Sequence, residues 1–266
     1  MGASQNALAV LQAQSVSAKI EAANFLSDQW HLNADIGEII QNPPDSPGRP
    51  PFPTLVPPSD TPRRRLGSVE GRAALLHAVA HIEFNAIDLA ADMILRFGHH
   101  TDIADTSRPS FIEDWISVCY DEARHFMLIE TRLNELGMSY GHFTAHNGLW
   151  EAALKTKDNF AARLAIAPMV LEARGLDVTP GMIKKLNKVG DLESANILKI
   201  IYNDEINHVA IGAKWFQRLA ESKSEKPEHY FQELVKQYYE GQLKPPFNVQ
   251  ARTLAGLKQG YYMPLR

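Results

Sequence analysis

The sequence contains a single cysteine, Cys119, among its 266 residues. An internal disulfide is therefore excluded, and so is any Cys-x-x-Cys pair for an iron–sulfur, rubredoxin-type or zinc-knuckle site. A metal site in this chain has to use histidine and carboxylate side chains. The shortage of cysteine fits a reducing compartment, and we expect a cytoplasmic protein.

Long apolar runs and an excess of basic residues are missing as well. No apolar run approaches the ~20 residues that cross a bilayer, and no basic segment followed by an apolar stretch opens the chain, so we expect neither a membrane partner nor a secretory signal. The formal net charge is −4, which disfavours a nucleic-acid partner. Two basic clusters, residues 63–65 and Lys184, Lys185 and Lys188, leave an RNA or phosphorylated substrate as an alternative.

No segment shows the sustained alternation of a β-strand, so the fold is predicted to be all-α. Helical periodicity predicts four long helices, over residues 69–97, 110–136, 158–174 and 191–220. Ser68, the capping box Ser110–Glu113 and Asp191 supply the expected helix starts.

The third of these helices carries its own interruptions. Pro168 is expected to kink it, and Gly175 to end it or open a break. Thr179 and Pro180 then resemble a cap and first residue, which predicts a new short helix.

Extra elements flank the four helices. Two weak helical stretches lie within residues 3–30, a short helix is expected at 149–154, and another helix runs from Pro227 to about residue 242, before an irregular tail. Nine prolines between residues 41 and 62 predict an extended arm, which we expect to wrap a surface with Phe52, Leu55 and Val56 as apolar anchors. The predicted organisation is residues 1–66 as helices and arm, 67–222 as a four-helix bundle, and 223–266 as a C-terminal helix and tail.

Two of the long helices repeat one pattern, Glu-x-x-His. It occurs as Glu122 with His125 and as Glu205 with His208. Three residues turn an α-helix by about 300°, so both side chains leave the same face and can bind one metal ion.

In both helices this face is otherwise apolar, which a solvated salt-bridge face would not be. The apolar residues that share it are Phe111, Trp115, Val118, Phe126, Ile129, Leu133 and Leu136 in one helix and Leu198, Ile201, Val209, Gly212, Phe216 and Leu219 in the other.

The remaining two helices each offer one acid from an apolar face, Glu83 and Glu172. Four converging carboxylates would repel one another strongly, and isolated buried carboxylates are costly. Two divalent cations balance four carboxylates, so a two-metal site is favoured over four acids that are each satisfied locally.

The order Glu83, Glu122-x-x-His125, Glu172, Glu205-x-x-His208 resembles the ferritin-like di-iron carboxylate superfamily. The stretch from Arg63 to Leu89, with residues 120–125, is further similar to a bacterial ferritin-like family of unknown function. The resemblance covers residues 60–220 and implies a ferritin-like four-helix bundle that binds two metal ions, iron first, with manganese or a mixed pair as alternatives.

What the resemblance implies for function is an O2-dependent oxidase or hydroxylase of unknown substrate, fed by an external electron donor. The alternatives are a ferroxidase or iron-storage protein, a metal-stabilised scaffold without turnover, and peroxide disproportionation by two manganese ions. A homodimer is one possible assembly.

The resemblance also suggests roles around the metals. Asp121 and Asp204 match acids that accept a hydrogen bond from the second ring nitrogen of each histidine, with plain surface positions as the alternative. Helix spacing, independently of the resemblance, places Tyr202 and Cys119 one turn before the two Glu-x-x-His glutamates, close to the metals. Ordinary core packing is the favoured interpretation of both. The alternatives are a redox-active or hydrogen-bonding phenol for Tyr202 and a pocket-lining thiol for Cys119.

Two further histidines, His77 and His81, lie one helical turn apart. They could form a second small site. The favoured interpretation is that they pack or form hydrogen bonds against a neighbouring helix.

Overall fold

A computed structural model of the chain describes residues 2–61 and 65–266. About 70% of the chain is helical. Among the described residues, an isolated parallel bridge between Leu55 and Ala145 is the one β-type pairing, which confirms the all-α prediction. No described helix combines the length and the apolar character needed to cross a membrane.

The chain divides into two compact units, Met1–Trp150 and Glu151–Arg266. The predicted division at residues 66 and 222, and the predicted four-helix bundle, stay predictions. Of the basic cluster at 63–65, Arg63 and Arg64 lie outside the described residues. The lysines of the other cluster are exposed.

Unit 1 is built on two long helices. The helices of this unit are α1 (Ala3–Gln12), α2 (Val16–Leu32), α3 (Val69–Phe97) and α4 (Arg108–Glu135), followed by α5 (Gly148–Lys155), in which the unit boundary falls. Helices α3 and α4 pack along each other, α1 packs on α2 and α3, and α2 packs on α4. Ser68 caps α3 by accepting the backbone N–H of Gly71 at 3.0 Å, as predicted.

Helix α4 begins earlier than its capping box predicts. Its first residue is Arg108, and Pro109 lies in the first turn. A proline is tolerated there because the backbone N–H groups of a first turn have no intrahelical acceptor. Ser110 therefore lies inside the helix, and the predicted start there is wrong by two residues.

The Pro-rich arm packs along unit 1 as predicted, but two of its three predicted apolar anchors are wrong. Phe52 and Leu55 are 61% and 41% exposed, while Val56 is half-buried. The arm is held by polar contacts instead: the backbone N–H of Gly48 donates to Leu11 O (2.7 Å), and Trp150 Nε1 donates to Asp45 O (3.0 Å).

Unit 2 contains the second pair of long helical segments. Its elements are α6 (Phe160–Ile166), a π-helical segment (Ala167–Glu172), α7 (Ala173–Lys188), α8 (Leu192–Ser222), α9 (Pro227–Tyr238), α10 (Val249–Leu254) and α11 (Gln259–Tyr262). Asp191 caps α8 through the N–H of Ser194 at 3.1 Å, as predicted. The tail that was predicted to be irregular contains α10 and α11.

The interruption predicted at Gly175 and the new helix start at Thr179–Pro180 are both wrong, because α7 runs through all three residues. Pro180 removes one helical N–H and leaves the carbonyl of Leu176 without its usual donor. The side-chain amide of Asn248 donates to that carbonyl at 3.2 Å. At Pro168, where a kink is predicted, the helix does depart from regular α-helical geometry, because it widens into the π-helical segment.

Candidate metal centre

Three predicted ligands come together inside unit 1. Glu83 comes from α3, and Glu122 and His125 come from adjacent turns of α4. All three are buried, with exposed fractions of 4%, 1% and 0%. The ring nitrogen Nδ1 of His125 lies 3.2 Å from Oε2 of Glu83 and 3.5 Å from Oε2 of Glu122.

The burial of these three side chains follows from the faces of α3 and α4 on which they lie. The apolar residues that share the Glu122 stripe, from Phe111 to Leu133, are nearly all inaccessible, so the motif faces the packed side of α4. Glu83 meets it because α3 and α4 pack along their lengths.

The electrostatics of the three groups are strongly coupled. Burial raises the pKa of Glu83 well above its usual value, and the neighbouring Glu122 carboxylate raises it further. Burial alone would lower the pKa of His125, but its hydrogen bonds with Glu122 and Glu83 outweigh that effect and raise it to about 11. The ring of His125, held in its protonated form, thus supplies positive charge beside the two acids.

These three groups could hold a metal ion. One donor atom from each lies within 4.8 Å of the others. Ligand atoms about 2.0–2.2 Å from a common ion are separated by at most about 4.4 Å, so a small contraction suffices.

Unit 2 holds the second Glu-x-x-His pair. Glu205 and His208 are buried on α8, with Nδ1 of His208 3.5 Å from Oε1 of Glu205. Glu172 is the last residue of the π-helical segment and is half-buried. Short π-helical insertions are frequent at functional sites.

The residues predicted to surround the metals have mixed environments. Asp121 is half-buried and accepts a hydrogen bond from Arg124 on its own helix (3.0 Å), and Asp204 is half-buried too. The hydroxyl of half-buried Tyr202 accepts a hydrogen bond from Asn248 Nδ2 at 2.9 Å. Their predicted roles stay predictions.

The thiol of Cys119 is buried one turn before Glu122 and donates weakly to the carbonyl of Ile87 at 3.7 Å. Burial raises its pKa far above the usual range, so it stays protonated. A thiolate ligand at this position is therefore disfavoured.

His77 and His81 form hydrogen bonds, as favoured, but to a loop rather than a helix. His77 Nε2 accepts the backbone N–H of Gly141 (2.9 Å), and His81 Nε2 donates to the carbonyl of His146 (3.0 Å). The rings thereby fix the loop that follows α4.

Unit 1 contains a buried ion pair that the sequence pattern does not predict. Lys19 of α2 donates to Asp88 of α3, and both side chains are inaccessible. A lysine in a weakly amphipathic helix gives no signal of burial. The signal for Asp88 is that α3 is apolar on nearly all sides.

Comparison with known proteins places the chain in a family. Residues 12–263 match the profile of a family described as "Protein of unknown function (DUF455)". The chain belongs to this family. A relative in Haemophilus influenzae, described as "Uncharacterized protein", is 43% identical over 210 residues, which cover 79% of this chain and 73% of the relative.

No solved structure matches this DUF455 chain. The matches confirm the predicted membership of a bacterial family of unknown function. The wider ferritin-like resemblance stays a prediction.

Proposed function

We propose that the protein binds two divalent metal ions and uses them in an O2-dependent oxidation or hydroxylation of a substrate. The proposed ligands are Glu83, Glu122, His125, Glu172, Glu205 and His208. The convergence of Glu83, Glu122 and His125 in a buried cluster is the observation that carries the proposal.

The chemistry of this cluster supports a cation. Two carboxylates and an imidazole are a ligand set suited to iron, manganese and zinc. A cation at the cluster would replace the proton between His125 and the acids. Hydrophobic surroundings keep water away, which strengthens every electrostatic interaction at the cluster.

Completion of the site by unit 2 rests on the repeated motif. Glu205 and His208 repeat the spacing and the burial of Glu122 and His125. Glu172 supplies the fourth carboxylate that the sequence pattern predicts.

A redox-active metal pair supplies electrons to O2 when it is bound. The chain itself positions the ligands and excludes water. Its one cysteine is buried and protonated, so the electrons are expected from a separate donor or from the substrate.

Elemental analysis tests the metal proposal. The wild-type protein, produced with iron and manganese supplied, is compared with Glu122→Gln, His208→Ala and Glu135→Gln. Glu135 is exposed on the same helix as Glu122 and pairs with Arg132, so its variant is the matched control.

About two ions per chain are expected in the wild type and the control, with a loss in the other two variants. An unchanged metal content in Glu122→Gln would contradict the site. Loss in Glu122→Gln but not in His208→Ala would restrict it to unit 1.

Oxygen consumption tests the reaction. The iron-loaded, reduced protein is expected to consume O2, and Glu122→Gln to consume none above background. Metal binding without O2 consumption would contradict the oxidase proposal and leave the metal site intact. Consumption that only oxidises added ferrous iron would favour iron handling.

A further inference from the structure

A cavity of about 350 Å³ opens in unit 1 between the Pro-rich arm and α3. This volume is in the range of small-molecule sites. Apolar groups form most of its lining, namely Pro50, Pro51, Pro53, Leu55 and Phe84. Thr54, His81 and Tyr140 also line it.

The walls are fixed in place by contacts on both sides. The backbone N–H of Ala145 donates to Thr54 O at 3.1 Å, and that of Val56 donates to Ala145 O at 2.8 Å, so the arm and the loop after α4 are joined. The Tyr140 hydroxyl lies 2.8 Å from Nδ1 of His81 and donates to it, since Nε2 of the same ring donates to the carbonyl of His146. The cavity is therefore largely preformed.

One charged side chain, Arg49, lines the cavity. Its Nη2 donates to Oδ1 of Asn85 at 2.7 Å. Within residues 2–61 and 65–266, Asn85 is the one group to which its guanidinium donates a hydrogen bond. No acidic residue is among the lining residues that the structure describes. The nearby carboxylate of Asp88 is already held by the ammonium group of Lys19.

Arg49 is thus oriented and half-buried, with donors left for a ligand. A carboxylate matches a guanidinium fork. Its single negative charge is balanced by Arg49, the one lysine or arginine among the lining residues that the structure describes. Prolines and aromatic rings suit a flat apolar body, and an exposed Leu55 at the rim adds to that surface.

We propose that this cavity binds a small carboxylate with a planar, apolar body, with Arg49 as the anchor for its charge. The proposal concerns unit 1 alone and does not depend on the metal centre. It adds a ligand site that the Glu-x-x-His motifs do not contain.

Benzoate and its neutral isostere benzamide are suitable probes, followed by isothermal titration and by NMR of the protein. Benzoate is expected to bind saturably, with benzamide roughly tenfold weaker or more because it lacks the charge. Benzoate is expected to shift the resonances of Leu55 and Tyr140.

Three variants test whether the probes bind in this cavity. Arg49→Gln is expected to remove the preference for benzoate. Leu55→Trp, a change at an exposed position, is expected to fill the cavity and weaken both probes. Arg218→Gln, which alters an arginine of unit 2 stacked on Trp215, is the matched control and is expected to bind like the wild type.

Equal affinity for benzoate and benzamide would overturn the proposal, as would the absence of saturable benzoate binding to the wild type. Unchanged benzoate binding in Leu55→Trp would overturn it too, even if Arg49→Gln fails to fold. Loss of binding in the Arg218→Gln control would show a non-specific charge effect and contradict the assigned cavity.

Discussion

The side-chain amide of Asn248 donates to the carbonyl of Leu176, the group that Pro180 leaves without a helical donor. The same amide donates to the hydroxyl of Tyr202, and the side-chain oxygen caps α10 through the N–H of Ala251 at 3.2 Å. One residue of the C-terminal tail thus allows a proline in the middle of a long helix.

Replacing Asn248 should show how much that contact contributes. Asn248→Ala is expected to lower the free energy of unfolding by about 1–3 kcal/mol, since it leaves a buried carbonyl unsatisfied and removes a helix cap. Asn248→Ser keeps a capping oxygen but loses the amide. In urea denaturation, the free energy of unfolding of Asn248→Ser should lie between those of Asn248→Ala and the wild type. Equal stability of Asn248→Ser and the wild type would show that the contact with Leu176 contributes nothing.

Gly212 of α8 lies against the π-helical segment. A Cβ atom there would come within 2.4 Å of the Pro168 ring. Gly212→Ala is therefore expected to destabilise the protein by roughly 1–3 kcal/mol through overpacking against a rigid ring.

Gly181 of α7 provides the matched control, because a Cβ atom there meets nothing within 4 Å. Gly181→Ala is expected to stabilise the protein by about 0.5–1 kcal/mol, the usual helical difference between glycine and alanine. Chemical denaturation measures both variants. A stabilising effect of Gly212→Ala would contradict the close packing.

Because Lys19 and Asp88 form a buried ion pair, we expect the stability losses caused by replacing each residue not to add up in the double variant. Lys19→Met leaves a carboxylate buried without its cation, and breaking a buried pair costs about 3–5 kcal/mol. The double variant Lys19→Met with Asp88→Leu is expected to recover most of that loss, because no buried charge remains. Thermal denaturation at neutral pH compares them, and additive losses would show that the ion pair is not the reason for the effect.

The buried ring of His81 should make the folding stability of the protein depend on pH. Burial lowers its pKa to about 4 from an ordinary value near 6.5. The unfolded chain therefore takes up this proton more readily than the folded protein. The stability that the neutral His81 ring contributes is fully present above pH 6.5 and is lost as the pH falls toward 4.

The measurement is the difference in unfolding free energy between the wild type and His81→Gln. The advantage of the wild type is expected to shrink by up to about 3 kcal/mol between pH 7.5 and pH 4. His31→Gln, at an exposed position, controls for the loss of a histidine as such. A wild-type advantage at His81 that is constant with pH would contradict the neutral buried ring.

Local signals predicted the helices where caps and periodicity agree. Ser68 and Asp191 mark real starts, and the stripe around Glu122 is buried as its pattern requires. The cluster of Glu83, Glu122 and His125 was predictable because helical geometry fixes which side chains share a face.

Features that depend on distant partners were not predictable. Pro180 has the local signature of a helix start, and the residue that satisfies Leu176 lies 72 positions along the chain. Phe52 and Leu55 are apolar residues of the kind that anchor an arm, yet backbone hydrogen bonds hold the arm, and both side chains are more than one-third exposed. A single sequence shows neither contact.

The docking of the Pro-rich arm also bears on the order of folding. Its bonds reach Leu11, Asn85, Ala145 and Trp150, at separations of up to 105 residues, so large loops must close before they form. We expect α3 and α4 to assemble first and the arm to settle afterwards. In hydrogen exchange, the amide protons of Val56 and Ala145 should then exchange faster than those at the centre of α3, through an opening that leaves the helices intact.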